Sequence, residues 1–122
     1  MGGSREERMQ EVLRELRMDN PGVEGAVLIS SDAMPLVGDT AEAAEEVLSA
    51  MASAVLSTCE RAADELARGP VQQVYLWGVA GDIAMVRVRE DLLLACLVQR
   101  RARGGDTLQE VVRCARRLAG IV

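Results

Sequence analysis

Leu92-Leu93-Leu94-Ala95-Cys96-Leu97-Val98 is a run of seven apolar residues with no polar break. Successive residues of a strand point to opposite faces, so a sheet with one wet face alternates apolar and polar side chains. This run does not alternate. Both faces of its sheet must be covered, and helices have to do the covering. The neighbouring sequence agrees. Residues 71–79 and 83–89 read as two further strands, and the links Ala80-Gly81-Asp82 and Glu90-Asp91 are short enough to require antiparallel hairpins. A basic loop over residues 100–105 then leads into a helix that Asp106 is expected to cap. On that helix Leu108, Val111, Val112, Ala115 and Ala119 are expected to face the core.

The first half of the chain supplies the other layers. Ser4 and Glu7 form an S-x-x-E capping box, and Met9, Val12, Leu13 and Leu16 then share one helical face. Asn20-Pro21-Gly22 ends that helix, since proline cannot continue the amide ladder. Residues 25–29 read as a buried strand, Ser30-Ser31-Asp32 as a turn, and Pro35-Leu36-Val37 as a short return strand. Asp39 and Glu42 open the longest helix, over residues 40–67, and Gly69-Pro70 stops it. Its expected core stripe is Ala44, Val47, Leu48, Met51, Val55, Cys59, Ala62 and Leu66. The order α-β-β-α-β-β-β-α accounts for all 122 residues as one domain, an α+β sandwich with neither repeat nor linker.

Composition closes most catalytic routes. The chain has no lysine, histidine or phenylalanine, and all 14 of its basic residues are arginine. A P-loop lysine, a Schiff-base amine, an imidazole base and a His-ligated zinc site are therefore excluded. No enzyme is expected, and no cofactor or metal. Cys59, Cys96 and Cys114 lack C-x-x-C spacing and sit among aliphatic residues, so they read as small hydrophobes. The net charge of −5 and the two aromatics, Tyr75 and Trp77, argue against nucleic acid. No apolar run is long enough to span a bilayer, and the first residues lack a secretory h-region, so a cytoplasmic protein is expected. Charge is uneven: residues 1–66 hold 14 acids and five Arg, residues 67–122 five acids and nine Arg, a field able to orient a partner.

Two features suggest an interface. On the long helix, Ser49, Ala50, Ser53, Ala54 and Ser57 are expected to lie opposite the core stripe, with Glu46 beside them. Small residues at four-residue spacing admit a second helix at close range, though an alanine-rich solvated face has the same pattern. On the strand over residues 71–79, Gln73, Tyr75, Trp77 and Val79 share a face opposite Val74 and Leu76. Those rings suit either an interface or the core. Gly104-Gly105-Asp106 near Arg100, Arg101 and Arg103 looks like an anion site, but the Asp106 carboxylate would occupy the free amides, so a capped loop with Gln109 is expected. Arg87 and Arg89 read as a solvated strand face.

The element order and several segments resemble the Roadblock family, which contains the Roadblock light chain of dynein and bacterial gliding-motility regulators. The matching segments are Pro21-Gly22-Val23-Glu24-Gly25-Ala26-Val27-Leu28-Ile29-Ser30-Ser31-Asp32 and Met34-Pro35-Leu36-Val37, with the Ala/Ser-rich helix and the closing strands and helix in order. The family usually places glycine after the Ser-Ser-Asp turn, where Ala33 stands here. The resemblance implies a five-stranded antiparallel sheet with the first and last helices on one face and the long helix on the other. It also implies a homodimer with paired long helices and joined third strands. The implied role is a noncatalytic regulator or scaffold of a Ras-like small GTPase, able to alter GTP hydrolysis. The absence of lysine and histidine fits a protein that supplies shape, and the all-arginine basic set fits a high-GC bacterial genome. A small-ligand sensor, or a scaffold without a GTPase, is the alternative expectation.

Overall fold

The computed structural model describes residues 3–102 and 105–122. Its elements are α1 (Arg5–Asp19), β1 (Val23–Ser30), β2 (Pro35–Asp39), α2 (Glu42–Glu65), β3 (Gln73–Trp77), β4 (Asp82–Arg89), β5 (Leu92–Val98) and α3 (Gly105–Ile121), with a 3-10 turn at Arg100–Ala102 before α3. The strands form one antiparallel sheet in the order β2-β1-β5-β4-β3. β5 is the central strand, which is why both of its faces are apolar.

Cross-strand registers sort the side chains into two layers. On one face Leu28, Ala84, Val86, Leu94 and Cys96 pack against Met9, Val12, Leu13 and Leu16 of α1 and Val111, Cys114, Ala115 and Leu118 of α3. On the other, Val27, Ile29, Met85, Leu93 and Ala95 pack against Leu48, Ala52 and Leu56 of α2. Two helices close the first face and one helix covers the second, as the resemblance implies. In α1, Ser4 Oγ accepts a hydrogen bond from Glu7 N–H at 3.1 Å, and all four expected core residues are buried.

The ends of several elements differ from the sequence expectation. Asp39 does not open α2. It closes β2 and pairs with Arg17 at 3.2 Å, and Ala41 stands at the N-cap without a side-chain bond. α2 stops at Glu65, before Gly69-Pro70, by a Schellman motif in which Ala67 N–H donates to Asp64 O and Arg68 N–H to Ala63 O. Ala67 takes the left-handed conformation at φ 55, a place usually held by glycine. Ala33 does the same at φ 65, so the turn keeps the glycine-like conformation without the glycine. β3 spans Gln73–Trp77, shorter than the expected 71–79. α3 begins at Gly105, so Asp106 lies inside its first turn rather than capping it. Arg103 and Gly104 lie outside the described residues. On α3, Cys114 and Leu118 join the buried set, and Ala119 is only half-buried.

Candidate interaction surface

The long helix is rotated from the expectation. Leu48, Ser49, Ala52 and Leu56 face the sheet, while Val47 and Met51 are 62% and 58% exposed. Glu46, Ala50, Ala54 and Ser57 lie on the solvent side and Ser53 is half-buried at the flank. Ser49 is therefore not on the outer face: it is 1% exposed inside the protomer, and its hydroxyl donates to Glu45 O at 2.7 Å. That internal bond is the physical reason. A serine that satisfies itself on the carbonyl one turn back can be buried, and small Ser49 and Ala52 let the helix sit close to the sheet. Val47, Met51, Ala62 and Leu66 of the expected core stripe thus face outward. The outer face is more apolar than a small-residue stripe alone.

α2 leaves part of the sheet half-open. Leu76, Ile83 and Leu97 stand directly opposite one another across β3, β4 and β5 and form one row on the α2 side. Leu76 is 39% exposed, and Ile83 and Leu97 are half-buried. The adjacent row holds Met85, Ala95 and Val27, all buried under α2, with half-buried Val74 at its β3 end.

What holds α2 in this position includes a residue whose role the sequence did not show. Arg87 pairs with Leu93 on the α2 side, and its side chain is only 15% exposed. It donates from Nε to Val71 O at 3.2 Å and from Nη1 to Glu90 O at 2.9 Å, and Nη2 pairs with the Glu60 carboxylate. One guanidinium, with donors fixed in a rigid fork, thus ties α2, the segment leading into β3 and the β4–β5 turn. The expected solvated strand position is corrected: an Arg beside valines looks exposed, and only the approach of Glu60 and Val71 from elsewhere in the chain buries it. Arg89 is exposed and donates to Val122 O at 3.0 Å.

The β3 edge behaves as two halves. Gln73, Tyr75 and Trp77 share the α1/α3 face by the period of two, as expected. Tyr75 is half-buried against that core, and its hydroxyl donates to Asp82 Oδ2 at 2.7 Å. Asp82, 3% exposed, also accepts from Gly78 N–H at 3.2 Å and thereby holds the hairpin tip. A Cβ at Gly78 would come within 2.3 Å of Gly81 O, so only glycine fits that close approach. Beyond this anchor Trp77 is 72% and Val79 90% exposed. Gln73 is also exposed.

The other candidate chemistry is quiet. Burial raises the Cys96 thiol far above its usual value and pushes Cys114 up to about 12, so both stay protonated at neutral pH. Among the described residues no cluster of His, Cys, Asp or Glu could hold a metal ion, and no helix is long and apolar enough to cross a membrane. Arg101 bonds Gln99 Oε1 at 2.7 Å and Arg100 reaches Val79 O at 3.4 Å, so these two arginines are engaged with their own loop and with the β3–β4 connection. The crevice between α1 and α3 holds about 80 Å³ and that beside Ser53, Ser57 and Arg87 about 110 Å³. Larger volumes, about 540 Å³ beside Arg61 and Gly69-Pro70 and about 460 Å³ beside Glu24 and Gln99, belong to shallow depressions open to solvent, whereas a ligand site of roughly 300–1,000 Å³ encloses most of its ligand.

No curated protein sequence matches the chain. Among solved structures, the gliding protein MglB of Thermus thermophilus is similar, with 22% identity over 99% of this chain and 93% of that one and a TM-score of 0.86. Myxococcus xanthus MglB superposes with a TM-score of 0.88 at 12% identity, over 99% and 92%. A Roadblock/LC7 domain from Streptomyces avermitilis gives 0.85 at 19% identity, over 91% and 94%. Residues 9–98 match the family model of the Roadblock/LC7 domain, and the chain belongs to that family.

Proposed function

We propose that the protein is a noncatalytic homodimer that regulates or scaffolds a Ras-like small GTPase, binding one nucleotide state of that partner more tightly than the other. The observation that carries this reading is the apolar surface exposed on α2 and at the β3 edge. Val47 and Met51 stand exposed on the helix, Leu76 is exposed at the end of the half-open row Leu76–Ile83–Leu97, and β3 is an outer strand of the sheet. Exposed apolar side chains in such number suit a protein-binding face, and an open edge strand invites a second strand. The outer α2 residues Glu46, Ala50, Ala54 and Ser57 and the β3 residues Gln73, Tyr75 and Trp77 form the dimer surface, with Ser53 at its margin. The GTPase enters through the family resemblance, and the buried thiols and open, shallow crevices favour a protein partner over a reactive nucleophile or an enclosed ligand. Differential affinity for two nucleotide states is sufficient to shift a GTPase between them.

Light scattering tests the dimer. Wild type is expected at twice the 13.1 kDa of one chain, and Ala54→Arg, which sets a charge on the outer face of α2, at one times that mass with unchanged circular dichroism. A pull-down from host lysate with GDP or a nonhydrolysable GTP analogue tests the partner. A Ras-like GTPase retained in one arm only is expected; its absence from both arms overturns the GTPase reading.

A further inference from the structure

We propose that Trp77 of each protomer is the anchor that fills a groove between β3 and α3 of the second copy. This rests on the homodimer proposed above and names the residue that makes it specific. β3 is five residues long, centred on Tyr75, and hydrogen-bonds only to β4 within the sheet. A second β3 laid antiparallel about a two-fold axis at Tyr75 is the register that pairs all five residues. It sets Trp77 opposite the partner's Gln73, and Leu76 opposite the partner's Val74.

The period of two keeps Trp77 on the α1/α3 face, so it extends a row already present in the partner. Within one protomer that row runs Gln73–Val86–Leu94–Leu28–Val37. Its outer end opens on a groove lined by Gln73, Leu108, Gln109, Val112, Arg113 and Arg116. Directly opposed side chains lie about 4.5–5.5 Å apart at Cβ, so the ring is within reach of that groove. Half-buried Leu108 and Val112 provide its apolar wall, and exposed Arg116 its rim. Arg113 is paired with Glu110, whereas the Arg116 guanidinium makes no ion pair among the described residues and is placed to lie over the indole face. Two copies of one contact form around the axis, as an isologous interface requires. A slip by one residue would turn Trp77 to the α2 side and lose the groove altogether.

Trp77 is the chain's single tryptophan, so tryptophan fluorescence reads the surroundings of this one side chain. The experiment is a dilution series of the full chain, with emission maximum and acrylamide quenching read beside mass from light scattering. As the dimer forms, emission is expected to move to shorter wavelength and quenching to fall several-fold. Trp77→Ala is expected to weaken the dimer by about 30-fold, the size of an interface hot spot. Arg116→Glu, on an exposed helical position, serves as the second variant if the first does not fold, and is expected to weaken the dimer and restore quenching. A dimer whose Trp77 stays as quenchable as in the monomer overturns this contact and leaves the homodimer standing. Failure to dimerise at any concentration overturns both.

Discussion

The two edges of the sheet are finished in opposite ways. At β2, Gln10 reaches from α1 to donate to Gly38 O at 2.7 Å, Arg17 pairs with Asp39, and both α1 and α2 pack on the strand. At β3, packing is chiefly on β4, and the strand carries exposed Gln73, Leu76 and Trp77. The faces repeat the contrast. α1 and α3 together close one side, while α2 alone covers the other and shows apolar side chains on its back. A strand added at β2 would have to displace the Gln10 amide from Gly38 O. The molecule therefore has a finished half around β2, α1 and α3 and an unfinished half around β3 and α2, and the functional reading belongs to the second.

The largest effect that separates the halves is a pair of truncations. Leu28→Ala, at a fully buried β1 position over the α1/α3 core, is expected to lose about 2–5 kcal/mol in urea unfolding. Met51→Ala on the back of α2 is expected to change unfolding of the dilute monomer by less than about 0.5 kcal/mol while weakening self-association. Equal losses of monomer stability would break the comparison.

A smaller effect sharpens it through the thiols. Cys96 and Cys114 sit in the closed half, where the thiolate is disfavoured by burial only in the folded chain. The unfolded chain then loses these protons first as pH rises past about 8.5, so stability is full below that pH and falls above it, toward about 12 for Cys114. By pH 10 the loss is about 1–2 kcal/mol for each thiol. Denaturation midpoints at pH 7 and 10 for wild type and the Cys96→Ala and Cys114→Ala variants check this. Each variant should flatten the alkaline fall, and an unchanged fall would refute the assignment. Half-buried Cys59, on α2, should take a thiol reagent before either.

The smallest effect concerns how α2 ends beside β3. Ala67 holds a left-handed position suited to glycine, where the Cβ of an L-residue crowds the following carbonyl oxygen. Ala67→Gly is expected to raise stability by about 0.5–1 kcal/mol, read as a higher thermal midpoint. A lower midpoint would mean that the chain prefers another ending for α2 in solution.

Legibility in the sequence follows the same division. α1 is readable residue by residue because Met9, Val12, Leu13 and Leu16 occupy one narrow face and the rest, apart from Gln10 and exposed Met18, are charged. α2 is not, since Leu48, Ala52 and Leu56 and the alternative set Val47 and Met51 both recur at helical spacing. A helix that is apolar on two sides does not state which side is inside. Arg87 was misread for a related reason: its partners Glu60 and Val71 lie 27 and 16 residues away, beyond any local pattern. Tyr75 and Trp77 looked equivalent until Asp82 took the Tyr75 hydroxyl and left the indole outside.

By itself the sequence determined the number, kind and order of the elements, and the need for helices on both sides of the sheet. Those follow from period, turn chemistry and connection length, which act over a few residues. Only the tertiary structure decided that β1 lies beside β5, that α2 turns Ser49 inward and Met51 outward, and that the row Leu76–Ile83–Leu97 stays half-open. Each depends on registers between strands far apart in the chain, where side chains compete for one buried surface. The winner is set by how closely the layers can pack and which polar groups they leave satisfied.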